Sequence, residues 1–285
     1  MNIRQARKKI KSVGNVRKIT KAMQLVSAVK MKKAQQLALE GEPYQMHLEA
    51  MIKRIILNVD PNYSKLLSTP KESVRKKDLA IVIASNKGLC GGFNMNLFRF
   101  IIKNTAMKNT DFAIVGKKAN LLPRFSASII ADYSSNYPLD GVSAIFNLAL
   151  TKFLEHTYSR VYLFYNNFIS MLRVDPVKDT LFPLTLQLTK EVEEKDPSSV
   201  YLIEPSPAEI INPLLYSYIE QKIQHAIIQS EAGEHSSRMI AMKNATENAN
   251  DVIYNLTMLR NKLRQEKITN ELLDMVTAKE SVEAS

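Results

Sequence analysis

Apolar positions fall into three stretches of different period. Toward the C-terminus, Met242, Ala245, Ala249, Val252, Leu256, Leu259 and Leu263 recur in alternating steps of three and four, with mostly charged or amide residues between them. That spacing predicts a coiled-coil seam, and its two alanines allow a neighbouring backbone to approach closely. Near the N-terminus Ile3, Ala6, Ile10 and Val13 follow the same rule. Val16, Ile19, Met23 and Val26 continue it after one short step, which reads as a stammer. The middle has another rhythm. Residues 78–85 (DLAIVIAS), 111–116 (DFAIVG) and 160–168 (RVYLFYNNF) are short β-branched or aromatic runs, which predict buried strands. Residues 94–107 and 143–155 between them have helical periodicity. Strand–helix alternation predicts an α/β layer with a mainly parallel sheet.

Proline placement draws the same map. All 11 prolines lie between Pro43 and Pro213, leaving 42 residues before and 72 after without a helix breaker. Residues 176–207 carry five of them and read as strand and loop. The expected organisation is a helix over 1–58, an α/β domain over 75–205 and a helix over 208–285 that pairs with the first. About 70 helical residues would extend roughly 105 Å at 1.5 Å per residue. The shorter first helix would then leave the C-terminal end as a single-helix tip.

Charge adds one distinction. Of the net +11, residues 1–42 carry +9 and residues 208–285 carry −3. A basic N-terminal element suggests nucleic acid, an anionic membrane or an acidic partner helix. The first 43 residues contain no aromatic side chain. Stacking on bases and anchoring in a bilayer both favour aromatics, so a partner helix is the best account and a nucleic-acid-binding arm the rival. No apolar run approaches the roughly 18 residues of a membrane span, and no secretory signal is expected in the charged N-terminus. Cys90 is the single cysteine, which excludes an intrachain disulfide and fits a reducing compartment.

Candidate chemistry is sparse. Gly88-Leu89-Cys90-Gly91-Gly92-Phe93-Asn94 joins a predicted strand to a predicted helix, a setting that can hold a phosphate on helix amides. The spacing matches neither dinucleotide-binding nor P-loop forms. A tight structural turn built on Gly88, Cys90, Gly91 and Gly92 competes with the phosphate cradle and suits the spacing better. Cys90 at that helix start could be a nucleophile or a structural thiol; a phosphatase-type loop would want arginine at position 96, which is Asn96. The four histidines are scattered, and neither a metal site nor a cofactor is expected.

Four blocks carry a resemblance. They are Ile10-Lys11-Ser12-Val13 with Ile19-Thr20-Lys21-Ala22-Met23 and Lys30-Met31; the 88–94 glycine loop; residues 234–249 (EHSSRMIAMKNATENA); and residues 264–272 (RQEKITNEL). In order and across nearly the whole chain, they resemble gamma subunits of rotary F-type ATP synthases. The resemblance implies a long antiparallel coiled coil of N- and C-terminal helices with an inserted Rossmann-like α/β domain. It implies a central rotor stalk, without a catalytic site of its own, coupling ion-driven rotation of the membrane c-ring to conformational cycling of the catalytic beta subunits. The implied partners are the alpha and beta subunits of the hexamer, the epsilon subunit and the c-ring; no nucleic acid is expected, and membrane attachment would be peripheral and only through partners.

Residue by residue, Arg264 and Gln265 match the pair that bonds a beta-subunit catch loop, with Thr269 close by. Met23 matches the position facing an acidic lever of beta, and Arg238 lies in the shaft block facing the hexamer. Ile268, Leu272, Met275 and Val276 resemble the apolar tip that turns in the hexamer's sleeve. Gln24 departs from a position often charged in the family, and the tail 277–285 is more polar than usual. The chloroplast type's regulatory cysteine segment has no counterpart, and no transit peptide is recognised. Both favour a bacterial enzyme on the cytoplasmic side of the cell membrane.

Overall fold

The computed structural model describes residues 1–57, 64–67, 77–184, 204 and 206–283. Two helices frame it, α1 (Ile3–Leu57) and α4 (Pro207–Glu283). Between them lie β1 (Asp78–Ile83), α2 (Phe93–Asn104), β2 (Thr110–Val115), β3 (Ser128–Asp132), α3 (Val142–Leu154), β4 (Arg160–Ser170) and β5 (Arg173–Phe182).

Pro43 and Pro213 sit inside the helices rather than bounding them. Each proline removes one amide from the helical ladder, and both side chains are exposed, so the carbonyls they orphan lie on wettable faces.

The sheet runs β3-β2-β1-β4-β5, with β3, β2, β1 and β4 mutually parallel and β5 antiparallel to β4. The three strands expected from sequence are present, within one or two residues at each end. Their apolar runs do not alternate because helices cover both faces of the sheet. One face, through Leu79, Ile81, Ile83, Leu163 and Tyr165, packs on α3 and on α1 and α4 residues such as Ile52, Ile219 and Ile223. The other, through Ala80, Val82, Phe112 and Phe164, packs on Leu97, Phe98 and Ile101 of α2 and on Ala119 and Leu122.

Strand β3 was not anticipated. It is an edge strand of five residues with only alternate positions half-buried, so its apolar signal is weak. β5 occupies the opposite edge, where Pro176 can sit in a strand without breaking a second ladder. The rest of the expected strand-and-loop region, residues 185–203 and 205, lies outside the described residues.

The chain divides into two compact units. One joins Met1–Ser27 to α4 from Arg238 onward; the other holds the sheet and the described residues between Ala28 and Ser237.

Candidate functional site

In the helical unit, the inward stripe of α1 is Ile3, Ala6, Ile10, Val13, Thr20, Gln24 and Ser27, all buried or half-buried. Filling the gap with Arg17 makes steps of three and four without interruption, so the expected stammer after Val13 is absent. Val16, Ile19 and Val26, which the pattern put in the seam, face outward with 50%, 60% and 58% of their surface exposed. The α4 seam is shifted in the same way. Met242, Ala249, Leu256 and Leu263 are buried or half-buried as expected, but the intervening positions are Thr246, Ile253 and Arg260 more than Val252 and Leu259.

Hydrogen bonding explains the inversion. Thr20 and Thr246 meet hydroxyl to hydroxyl at 2.8 Å, while each also donates to, or shares, a carbonyl of its own helix: Arg17 at 3.1 Å and Met242 at 2.7 Å. Ser27 donates to the Met23 carbonyl at 2.7 Å. Small hydroxyls satisfied this way are cheap to bury and let two backbones come close. The larger Val16, Ile19 and Val26 are left for the outer face.

The basic N-terminus also differs from its simplest expectation. Among the described residues no ion pair joins α1 to α4 in this unit; the polar links are Thr20–Thr246 and Arg17 Nη1 donating to Asn250 at 3.2 Å. Arg4, Arg7, Lys8, Lys9 and Lys11 are exposed and form no ion pair among the described residues. Lys243–Glu247, Lys262–Glu266 and Lys267–Glu271 are ion pairs that run along α4 beyond Met242. Such exposed pairs contribute only a few tenths of a kcal/mol.

Farther along α4, Arg264, Gln265 and Thr269 are exposed, as are the apolar Ile268, Leu272, Met275 and Val276. At about 100° per residue these seven fall within one sector of roughly 140°. Leu273, which the sequence did not single out, is equally exposed on the next flank. Met23 is half-exposed beside the outer apolar row. Arg238 stands apart from these contact candidates, being only 6% exposed.

A family model described as ATP synthase matches residues 2–282. The chain is 33% identical over 293 residues to an ATP synthase gamma chain of Akkermansia muciniphila, spanning 99% of each. It is 35% identical over 294 residues to one from Bdellovibrio bacteriovorus, again spanning 99% of each. This chain belongs to the ATP synthase gamma-chain family. Its fold is shared with a chain of the Euglena gracilis mitochondrial ATP synthase OSCP/F1/c-ring assembly, at a TM-score of 0.68 and 17% identity over 99% of this chain and 95% of that one. A chain from the central stalk and c-ring of the Tetrahymena thermophila mitochondrial ATP synthase matches at 0.59 and 24% identity, over 80% and 99%.

For a gamma chain, the glycine loop has a clear structural logic. The Asn94 amide ties it down: Oδ1 accepts from the Ser85 amide at 3.1 Å, and Nδ2 donates to Ser85 Oγ at 2.8 Å and to Cys90 Sγ at 3.4 Å. Cys90 is buried, its sulfur also near the Lys87 carbonyl and Ser85 Oγ. Positive φ falls on Leu89 and Gly91; Gly92 starts α2 in ordinary helical geometry, and a Cβ on Gly88 would make only ordinary contact. The tightest approach nearby is Gly116, at φ 97°, where a Cβ would lie 2.0 Å from the Ala84 carbonyl oxygen. No helix among the described residues is long and apolar enough to cross a membrane.

Proposed function

We propose that this chain is the central rotor shaft of its ATP synthase, coupling ion-driven rotation of the c-ring to conformational cycling of the catalytic beta subunits. The observation that carries the reading is the inverted packing of α1, in which hydroxyls point inward and Val16, Ile19 and Val26 point outward. An apolar row on a helix that already has a packed inner seam is surface made for another molecule. The cations at the N-terminal end of α1, which form no ion pair among the described residues, ask for acidic groups on that molecule. In this reading helices 1–58 and 208–285 form the shaft, and the α/β domain of 75–205 forms a foot seated with epsilon on the c-ring.

Met23, Arg264, Gln265 and Thr269 would meet the beta subunits. The guanidinium fork of Arg264 suits directional bonds to a loop. An apolar Met23 can pass an acidic lever without holding it, whereas a cation there would add an attraction that resists turning. Arg238, being buried, would act through the packing around it rather than by reaching a partner directly. Ile268, Leu272, Met275 and Val276 would be the apolar tip in the hexamer's sleeve. Gly88, Cys90, Gly91 and Gly92 serve the strand-to-helix turn. The reaction remains in beta; differential contact between an asymmetric shaft and three equivalent sites is what changes their nucleotide affinities. The complex would lie at the bacterial cell membrane on the cytoplasmic side, with this chain held there by its partners.

Purification of a tagged form from native membranes tests the reading. Alpha and beta subunits with ATPase activity should accompany it, and that activity should be absent from the chain alone. Recovery of nucleic acid in their place, or of a solitary chain hydrolysing ATP, would refute it.

A further inference from the structure

Two residues of α4 meet the sheet unit in a way that the apolar stripe of that helix does not explain. The Ser236 hydroxyl, fully buried, donates a 2.6 Å hydrogen bond to the carbonyl of Met171 in the turn between β4 and β5. A serine inside a helix commonly bonds back to its own preceding turn; this one reaches out to another element. Three residues earlier is Gly233. A Cβ there would lie 2.9 Å from Val174 Cγ1 and 3.3 Å from Phe93 Cε2. Glycine is a poor helix former, so its presence in an unbroken helix is accounted for by this close approach to β5 and to the first residue of α2. Asn166 of β4, also buried, donates to the Phe93 carbonyl at 3.4 Å and ties the start of α2 into the same cluster. Ser237 is the last α4 residue of the sheet unit; from Arg238 the helix belongs to the other one.

We propose that Gly233 and Ser236 form a clamp fixing α4 against rotation about its own axis relative to the α/β layer. They are thus positioning residues for the passage of torque. The proposal rests on the rotor reading above. Apolar side chains packed at helical spacing resist separation but tolerate small rotations. A directional hydrogen bond and a steric notch filled by Val174 do not. Both lie within about the last turn and a half that α4 shares with the sheet unit, where slip would be most damaging.

The test uses the assembled complex in vesicles, with Ser236→Ala, Gly233→Ala and Gly233→Ala/Val174→Ala in this chain. Loss of one hydrogen bond of ordinary net strength should make amide exchange in the 171–173 turn about fivefold faster in Ser236→Ala. Coupling ions pumped per ATP hydrolysed against a gradient should fall by up to about the same factor, without a lower thermal midpoint for the complex. Gly233→Ala should lose coupling, and the added Val174→Ala should restore it by reopening the notch. A purely structural role would change yield or thermal midpoint and leave the pumping ratio of assembled complexes alone. Parent values for exchange and pumping in Ser236→Ala would overturn the clamp and leave the rotor reading standing. A parent complex that hydrolyses ATP without pumping would overturn the rotor reading, while the exchange comparison would still decide the clamp.

Discussion

Replacing Val16, Ile19 and Val26 together by glutamine separates the inner seam of α1 from its outer face. These side chains are 50%, 60% and 58% exposed, so each has already buried about half of its surface within the chain. Fully burying a Val or Ile side chain is worth about 1.5–3 kcal/mol. The unburied half or more leaves roughly 1–1.5 kcal/mol per residue for a partner, or about 3–4.5 kcal/mol for three. That corresponds to a dissociation constant raised about 150- to 2,000-fold, an upper range because binding also costs side-chain freedom. Glutamine is a better helix former than valine or isoleucine, and exposed substitutions usually shift stability by less than about 0.5 kcal/mol. The isolated chain should therefore keep its helicity and thermal midpoint, while titration against alpha–beta hexamers shows the weakened affinity. Parent affinity in the triple variant would refute the outward reading of this face. So would loss of helicity in the isolated chain, which would mean that the three residues belong to the inner seam after all.

Three further predictions concern other parts of the molecule. Arg264→Ala with Gln265→Ala should leave the isolated chain folded, because both side chains are exposed, yet reduce ATP synthesis by the reconstituted complex; unchanged synthesis would count against the catch-loop assignment. Gly116→Ala should destabilise the α/β layer by about 3–5 kcal/mol, since it combines positive-φ strain with a clash against the Ala84 carbonyl, and chemical denaturation would show it. Burial lowers the His225 pKa from its usual value, with Glu42 and Asp179 opposing the shift. The unfolded chain therefore takes up that proton first as pH falls, and stability should drop from about pH 6.5 downward; His225→Gln should flatten that slope in denaturation curves measured between about pH 7 and pH 5.

The α/β layer was readable because burial on both faces of β1, β2 and β4 leaves unbroken apolar runs that few other environments produce. β3 was not, since an edge strand with half-buried alternate positions resembles any surface segment. The two helices were legible through the absence of prolines at the chain ends, though Pro43 and Pro213 show that an exposed proline need not end a helix. The seam departs from the apolar pattern at particular residues. Matching apolar letters favoured Val16, Ile19 and Val26, whereas strict continuation of the Ile3–Val13 spacing leads to Thr20 and Ser27. Hydroxyls that can bond to their own helix count as core in a close-packed pair, and a hydrophobicity pattern cannot see that.

The candidate contact residues illustrate a second limit. Arg264, Gln265, Thr269 and the apolar tip came from resemblance, and their common face follows from helical geometry alone. Arg238 came from the same resemblance but is buried, which a motif cannot foretell. The contact made by Ser236 with the β4–β5 turn depends on two elements distant in sequence, and only the folded chain brings them together.

Direct observation of rotation tests the central claim. Alpha–beta hexamers would be fixed to a surface, with a bead attached to the α/β domain of this chain, and ATP added. The account predicts sustained unidirectional rotation that stops when ATP is exhausted. ATP hydrolysis by the same immobilised particles with the bead showing only random angular motion would contradict it.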